Sequence, residues 1–239
     1  MENKEHNMVP LDSLRSKLGK MTERIIFRLE DRSGFPFNPP VYEPGAITIV
    51  GKSNTSFLEF AIQGMEEYHV SLGRYEYPDQ FPIMRSLPPP TMARRLVGIP
   101  ALPYVGINLK DKLLPFYRDI VLPQLCELKD DPDTYGETVY LDADVLELLN
   151  ERINVGRYVA RAKVEEDPSI WDIVSDSGEL IKKLRDHNQE ERIIGSVNLA
   201  ADKYGLRRDL AGVVFRWVIE QTIGVEVAYL QGIPRPNIK

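Results

Sequence analysis

The chain has 239 residues, 43% hydrophobic and 28% charged, with a formal net charge of −6. That is enough apolar material for one sizeable core or two small ones, and it advertises no basic face for nucleic acid, although a local pocket can still be positive. The single cysteine, Cys126, excludes an intrachain disulfide and a cysteine-rich metal site, and fits a reducing compartment.

The first ten residues, MENKEHNMVP, form a polar tail without the apolar core of a signal peptide. No apolar run is long enough to cross a bilayer. The triplet Asn54-Thr55-Ser56 matches a glycosylation acceptor, but without a secretion signal it is discounted. A cytoplasmic protein with no membrane partner is expected.

Residues 11–32 read as a long helix. Asp12 or Ser13 can cap it, Leu11, Leu14, Leu18, Met21, Ile25 and Leu29 form its buried stripe, and Gly34 with Pro36 ends it. Arg15 lies at the border of the stripe, where a surface salt bridge is the plain reading. Residues 35–55 are loop-like, and the β-like patch 46–50 is too isolated for a sheet. A second helix is expected over 56–74. The proline-rich connection 78–103 excludes a continuous helix. Its length suggests a regulatory or interface role, or else a linker between two domains.

Asn108 can cap a third helix reaching 130, with Pro115 in its first turns and Pro123 kinking it. A polar loop follows over 130–140. The next helix, 142–166, carries the stripe Val145, Leu148, Leu149, Gly156 and Val159 at the 3-and-4 spacing of a buried face. Short helices or turns are expected over 168–175 and 178–187. Two further helices occupy 188–204, ended by Gly205, and 209–230, ended by Gly232 and Pro234. The class is all-α, and residues 11–239 read as one domain of antiparallel helices.

Several polar groups sit where these stripes predict core. Arg152 and Lys163 lie eleven residues apart on one face, roughly 16 Å along a helix. One such cation is explained by a stem that carries its head to water. Two on one inward stripe make an anionic ligand a competing explanation. Asp186 and Glu190 are i and i+4 and continue into Ile193, Val197, Ala201 and Tyr204. Capping and the helix dipole explain Asp186. Thr222 and Glu226 repeat the i, i+4 spacing after Phe215 and Ile219. Glu226 sits late in its helix, where the dipole disfavours it, so burial demands a cation partner or a raised pKa. Phosphate-loop and nucleophile-elbow motifs are absent, and His6, His69 and His187 lack metal-ligand spacing. Glu190 and Glu226 are formally a carboxylate pair for glycoside hydrolysis, but the cations around them point to an anionic substrate.

Four stretches in order resemble the all-helical chorismate mutases of the eukaryotic type. These are LDSLRSKLGKMTERIIFRLEDRSGFP followed by VYEPG; GRYEYPDQFP; NERINVGRYVARAK; and VIEQTIGVEVAYL. The resemblance implies an isomerase that rearranges chorismate to prephenate, on the way to phenylalanine and tyrosine, without metal or cofactor, as a homodimer. It implies that Arg15 and Arg152 bind the two carboxylates and that Thr222 assists. Lys163 and a protonated Glu226 would donate to the ether oxygen, and Glu190 would accept from the ring hydroxyl with Asp186 beside it. Val159 and Ile219 would form apolar walls. Asp186 stands where the eukaryotic branch usually has asparagine.

Regulated members of this branch carry two adjacent arginines where this chain has Gly73-Arg74, and a small hydroxyl residue after the glycine where it has Gly136-Glu137. The connection 205–209 is also short. Arg74, Gly136 and Glu137 are therefore the candidate effector-binding positions, and their identities argue against conventional control by tryptophan and tyrosine. Pyruvate elimination from isochorismate and a non-catalytic helical binding protein are the alternative readings.

Overall fold

The computed structural model describes residues 9–92 and 100–235. Most of the polar tail and residues 93–99 of the proline-rich connection lie outside the described residues.

Helix α1 spans Leu11–Ser33 and buries Leu11, Leu14, Met21, Ile25 and Leu29. Its start differs from expectation. Pro10 occupies the cap with extended backbone, no side chain caps the turn, and Asp12 instead pairs with Arg15 at 3.2 Å. Helix α2, Phe57–Ser71, is capped by Ser56, whose Oγ accepts from the Glu59 backbone N–H. Gly73 then turns the chain through a left-handed conformation, φ 73°, which glycine adopts without a steric cost.

The third predicted helix is shorter and broken. Helix α3, Lys110–Phe116, passes through a π turn, Tyr117–Val121, into α4, Leu122–Leu125. The Leu122 N–H bonds to the Tyr117 carbonyl, carrying the helix past Pro123, which has no N–H to donate. It ends before 130 because the following backbone serves another partner. The Glu127 and Lys129 carbonyls accept from the N–H groups of Phe37 and Asn38.

Residues 130–140 are not the expected loop. Asp131 caps a 3-10 turn at Pro132–Thr134, and α5 starts directly after it, Tyr135–Asn154. Gly136 and Glu137 thus lie in a first helical turn. The predicted helix 142–166 is interrupted at Val155, and α6 continues over Gly156–Glu166. After the 3-10 turn Pro168–Asp172 come α7, Ser177–Leu184, α8, His187–Tyr204, and α9, Arg208–Gly232. Gly205, φ 82°, ends α8, and a three-residue connection makes α8 and α9 an antiparallel hairpin.

Helix α1 packs on α5 and α8, while α9 packs on α5, α6 and α8. The largest apolar cluster lies among them, with Ile25, Leu29, Leu146, Leu149, Phe215 and Val218 fully buried. A buried ionic cluster ties α1 to α5. The Arg32 Nε donates to Asp142 at 2.6 Å, and the hydroxyls of Tyr42 and Tyr117 donate to the same carboxylate at 2.6 and 2.8 Å. Every partner is satisfied, which such a group requires, and breaking the pair costs about 3–5 kcal/mol.

The described part of the proline-rich connection is extended and anchored. Glu66 accepts from the N–H groups of Ile83 and Met84, Asn150 donates to the Phe81 carbonyl, and Arg157 donates to the carbonyls of Val105 and Ile107. It straps α2, α5 and α6 together.

Candidate active site

Helices α1, α5, α6, α8 and α9 enclose a cavity of about 190 Å³, closed at one end by Leu184 and Arg185 after α7. Its lining includes Arg15, Arg152, Val159, Lys163, Asp186, Glu190, Ile219, Thr222 and Glu226, so the nine catalytic and substrate-binding positions expected from sequence converge on one place. The convergence depends on a close helix crossing. At Gly156 a Cβ would lie 2.9 Å from the Thr222 carbonyl oxygen, so only glycine lets α6 approach α9 here.

Arg152 is 2% exposed, and its Nε has no hydrogen-bond partner among the described residues. No carboxylate there forms an ion pair with it. Burial alone pushes its guanidinium down to about 10. A buried cation left uncompensated costs several kcal/mol, and an anion in the cavity removes that cost.

About two turns of α6 beyond Gly156, the Lys163 Nζ donates to Glu226 at 2.8 Å and to the Leu184 carbonyl at 2.6 Å. Glu226 is almost fully buried, and burial raises its carboxyl above the ordinary range, against the opposing pull of Lys163. Both outcomes expected for a late-helix Glu226 therefore hold: it has a cation partner and a raised pKa.

Across the cavity Asp186 caps α8, accepting from the Gln189 N–H at 3.0 Å, so its capping explanation holds. Its other oxygen lies 3.6 Å from Arg15. The same arginine pairs with Asp12, so it has the salt bridge expected of a border residue and also faces the cavity. Glu190 Oε1 is buried with no hydrogen-bond partner. Thr222 donates its hydroxyl to the Val218 carbonyl, leaving its oxygen lone pairs as acceptors. Val159 and Ile219 supply apolar wall.

Five cations line the cavity, Arg15, Arg152, Lys163, Arg185 and Arg192, against three carboxylates, Asp186, Glu190 and Glu226. The excess of two positive charges suits a small dianion. The chain is similar to proteins of one family. Residues 135–227, which carry α5 to most of α9, match the family described as chorismate mutase type II. The chorismate mutase of Schizosaccharomyces pombe is 29% identical over 92% of this chain and 94% of its own length. The cytosolic chorismate mutase 2 of Zea mays is 26% identical over 94% of this chain and 96% of its own length. A Candida albicans chorismate mutase solved in complex with L-Trp superposes with a TM-score of 0.88 at 25% identity, covering 95% of this chain and 93% of that chain.

The chain is similar to the all-helical chorismate mutases along nearly its whole length.

Other features of this chorismate mutase-type chain escaped sequence reasoning. Arg185, Gln189 and Arg192 line the cavity, yet none falls on a predicted stripe. Arg185 sits at the joint between α7 and α8, where periodicity gives no signal. The candidate effector positions lie elsewhere. Arg74 donates to Gln80 and pairs with Glu147 at 2.9 Å and Glu151 at 3.6 Å. Gly136 and Glu137 lie at the start of α5, eleven and ten residues before Glu147. The structure does not bring Arg74 together with them within one chain.

Proposed function

We infer that this chain is a chorismate mutase, converting chorismate to prephenate by an intramolecular Claisen rearrangement. The observation that carries the reading is Arg152, a buried guanidinium with no carboxylate partner, facing the cavity that also holds the Lys163–Glu226 pair. A substrate carboxylate completes Arg152, and Arg15 at the rim takes the second. Thr222 assists with a carboxylate when its hydroxyl turns away from the Val218 carbonyl. Held at both ends between Val159 and Ile219, the enolpyruvyl group lies over the ring in a near-attack geometry.

Charge then develops on the ether oxygen as its C–O bond breaks. Lys163 donates to that oxygen, and so does Glu226 in its protonated form, which its burial favours. The unpartnered Glu190 Oε1 accepts from the ring hydroxyl, and Asp186 keeps α8 in place by capping it. A pre-formed donor set of this kind is worth on the order of 100–1,000-fold in rate per donor. Incubating purified protein with chorismate and following prephenate and pyruvate together tests the reading. Mole-for-mole prephenate supports it, pyruvate release favours the lyase alternative, and no consumption removes both.

We propose further that residues 11–239 form one domain and that the chain is a homodimer of the cytosol, like the maize relative named as cytosolic. No helix among the described residues is long and apolar enough to cross a membrane. Phe60, Tyr68 and Leu72 are exposed along one line of α2 and its end, an apolar stripe suited to a second copy. Arg74 is already held by Glu147 and Glu151. An amino-acid effector using Arg74 has to displace these carboxylates, which supports weak or absent control there.

A further inference from the structure

We propose that Arg185 is a positioning residue for Glu190, held in place by Glu220 on the outer face of α9. The proposal rests on the chorismate mutase reading above and extends it to a residue with no assigned role.

Glu190 presents a chemical problem. Its Oε1 is buried and makes no hydrogen bond. An oxygen with no donor to hold it is free to turn, and only one aimed into the cavity can accept from a substrate hydroxyl. To accept from a substrate hydroxyl, Glu190 needs a group that fixes its carboxylate from close by without being bonded to Oε1. Arg185 fits this requirement, with its Nε 3.7 Å from Glu190 Oε1, within ion-pair range and beyond a hydrogen bond. Another basic side chain, His187, faces Oε2 at 3.8 Å and is itself 77% exposed.

Two anchors set the 3.7 Å separation. The Arg185 backbone N–H bonds to the Ile181 carbonyl and closes α7, and the next residue, Asp186, opens α8 as its cap. The guanidinium NH2 donates to both oxygens of Glu220 at 2.7 Å. Glu220 is half-exposed and does not line the cavity. Among the described residues its connection to the chemistry runs through Arg185. A lysine ammonium carries its donors on one nitrogen and cannot face Glu190 and Glu220 from two separate nitrogens as the guanidinium does.

Kinetics of Arg185→Gln, Arg185→Lys, Glu190→Gln, Glu220→Ala and the paired variants on chorismate test the proposal. Arg185→Gln is expected to lower kcat/KM by about 10-fold to 100-fold while Glu190 is present, the scale on which a misplaced group acts. In the Glu190→Gln background the same change is expected to cost no more than about twofold. Arg185→Lys should recover part of the loss. Glu220→Ala should act in the same direction and add nothing to Arg185→Gln. An equal Arg185→Gln loss with and without Glu190 overturns the proposal, because Arg185 would then act on the substrate independently. Wild-type kinetics in Arg185→Gln also overturns it. A crystal structure of Glu220→Ala gives a readout independent of turnover and of the folding of the arginine variants. Arg185 should swing away and the Glu190 carboxylate should turn with it, whereas an unmoved Glu190 carboxylate contradicts the proposal even if wild-type protein leaves chorismate untouched.

Discussion

Replacing Arg152 with methionine should make the ligand-free protein more stable and nearly inactive. Arg152 is buried, forms no ion pair among the described residues, and is pushed down to about 10 by burial. A cation whose folded-state pKa is depressed pays for its charge at every pH below that value. At neutral pH the guanidinium stays protonated, so the cost is fully present, about 3 kcal/mol. Methionine keeps an unbranched stem of similar reach and removes the charge. Lost packing offsets part of the gain, leaving about 1–3 kcal/mol. For a chain of this size that raises Tm by about 3–10 °C. Urea unfolding of both proteins without ligand, followed by the same experiment with chorismate, separates the two effects. Chorismate should stabilise the wild type and leave Arg152→Met unchanged, while kcat/KM of the variant falls at least about 100-fold. A ligand-free variant less stable than wild type would show that Arg152 has a partner within the fold, and the case for an anion site would fail.

Burial raises the Glu226 carboxyl, so its protonated form is present below that raised value and is lost as pH rises through it; kcat/KM should fall accordingly, and Glu226→Gln, which donates at any pH, should flatten the fall. A pH–rate profile unaltered by Glu226→Gln removes this side chain from the mechanism. Gly156→Ala places a Cβ 2.9 Å from the Thr222 carbonyl oxygen, which cannot rotate away, so overpacking of about 1–3 kcal/mol outweighs the roughly 1 kcal/mol of helix propensity gained. Both stability and kcat should drop, and an unchanged Tm refutes the close crossing. Glu66 is held at about 7 rather than the ordinary 4.5, chiefly by burial. Its contribution to stability is complete below the unfolded value and is lost as pH rises through about 7, some 3 kcal/mol in all. The stability difference between wild type and Glu66→Gln should therefore shift by about that amount between pH 4.5 and 7.5, and a difference independent of pH contradicts the burial argument.

What the sequence made legible was periodic. The stripe through Val145, Leu149 and Val159 is buried, and the eleven-residue spacing of Arg152 and Lys163 does bring both to one cavity, although the helix between them breaks at Val155. The i, i+4 pairs Asp186–Glu190 and Thr222–Glu226 lie on the same cavity, and motif order supplied their expected roles and the place of Arg15. Illegible were features set by distant partners. Residues 130–140 looked like a polar loop, yet Asn38 accepts the Asp131 N–H and its side chain donates to Thr134 and Thr138, fixing the turn that starts α5. The buried Arg32–Asp142 pair spans 110 residues. Arg185 meets Glu220 from another helix, 35 residues on. No local window contains such pairings, and Pro10, an unremarkable residue in sequence, displaced both expected caps of α1.

The account's central claim is that Arg15, Arg152, Lys163 and Glu226 surround one bound dicarboxylate. The most direct measurement is a crystal structure of the protein with a stable dicarboxylate analogue of chorismate. One carboxylate should lie on Arg152 and the other at Arg15, with the ether oxygen within hydrogen-bond distance of Lys163 and Glu226. A ligand seated outside this cavity, or inside it with no contact to Arg152, contradicts the account.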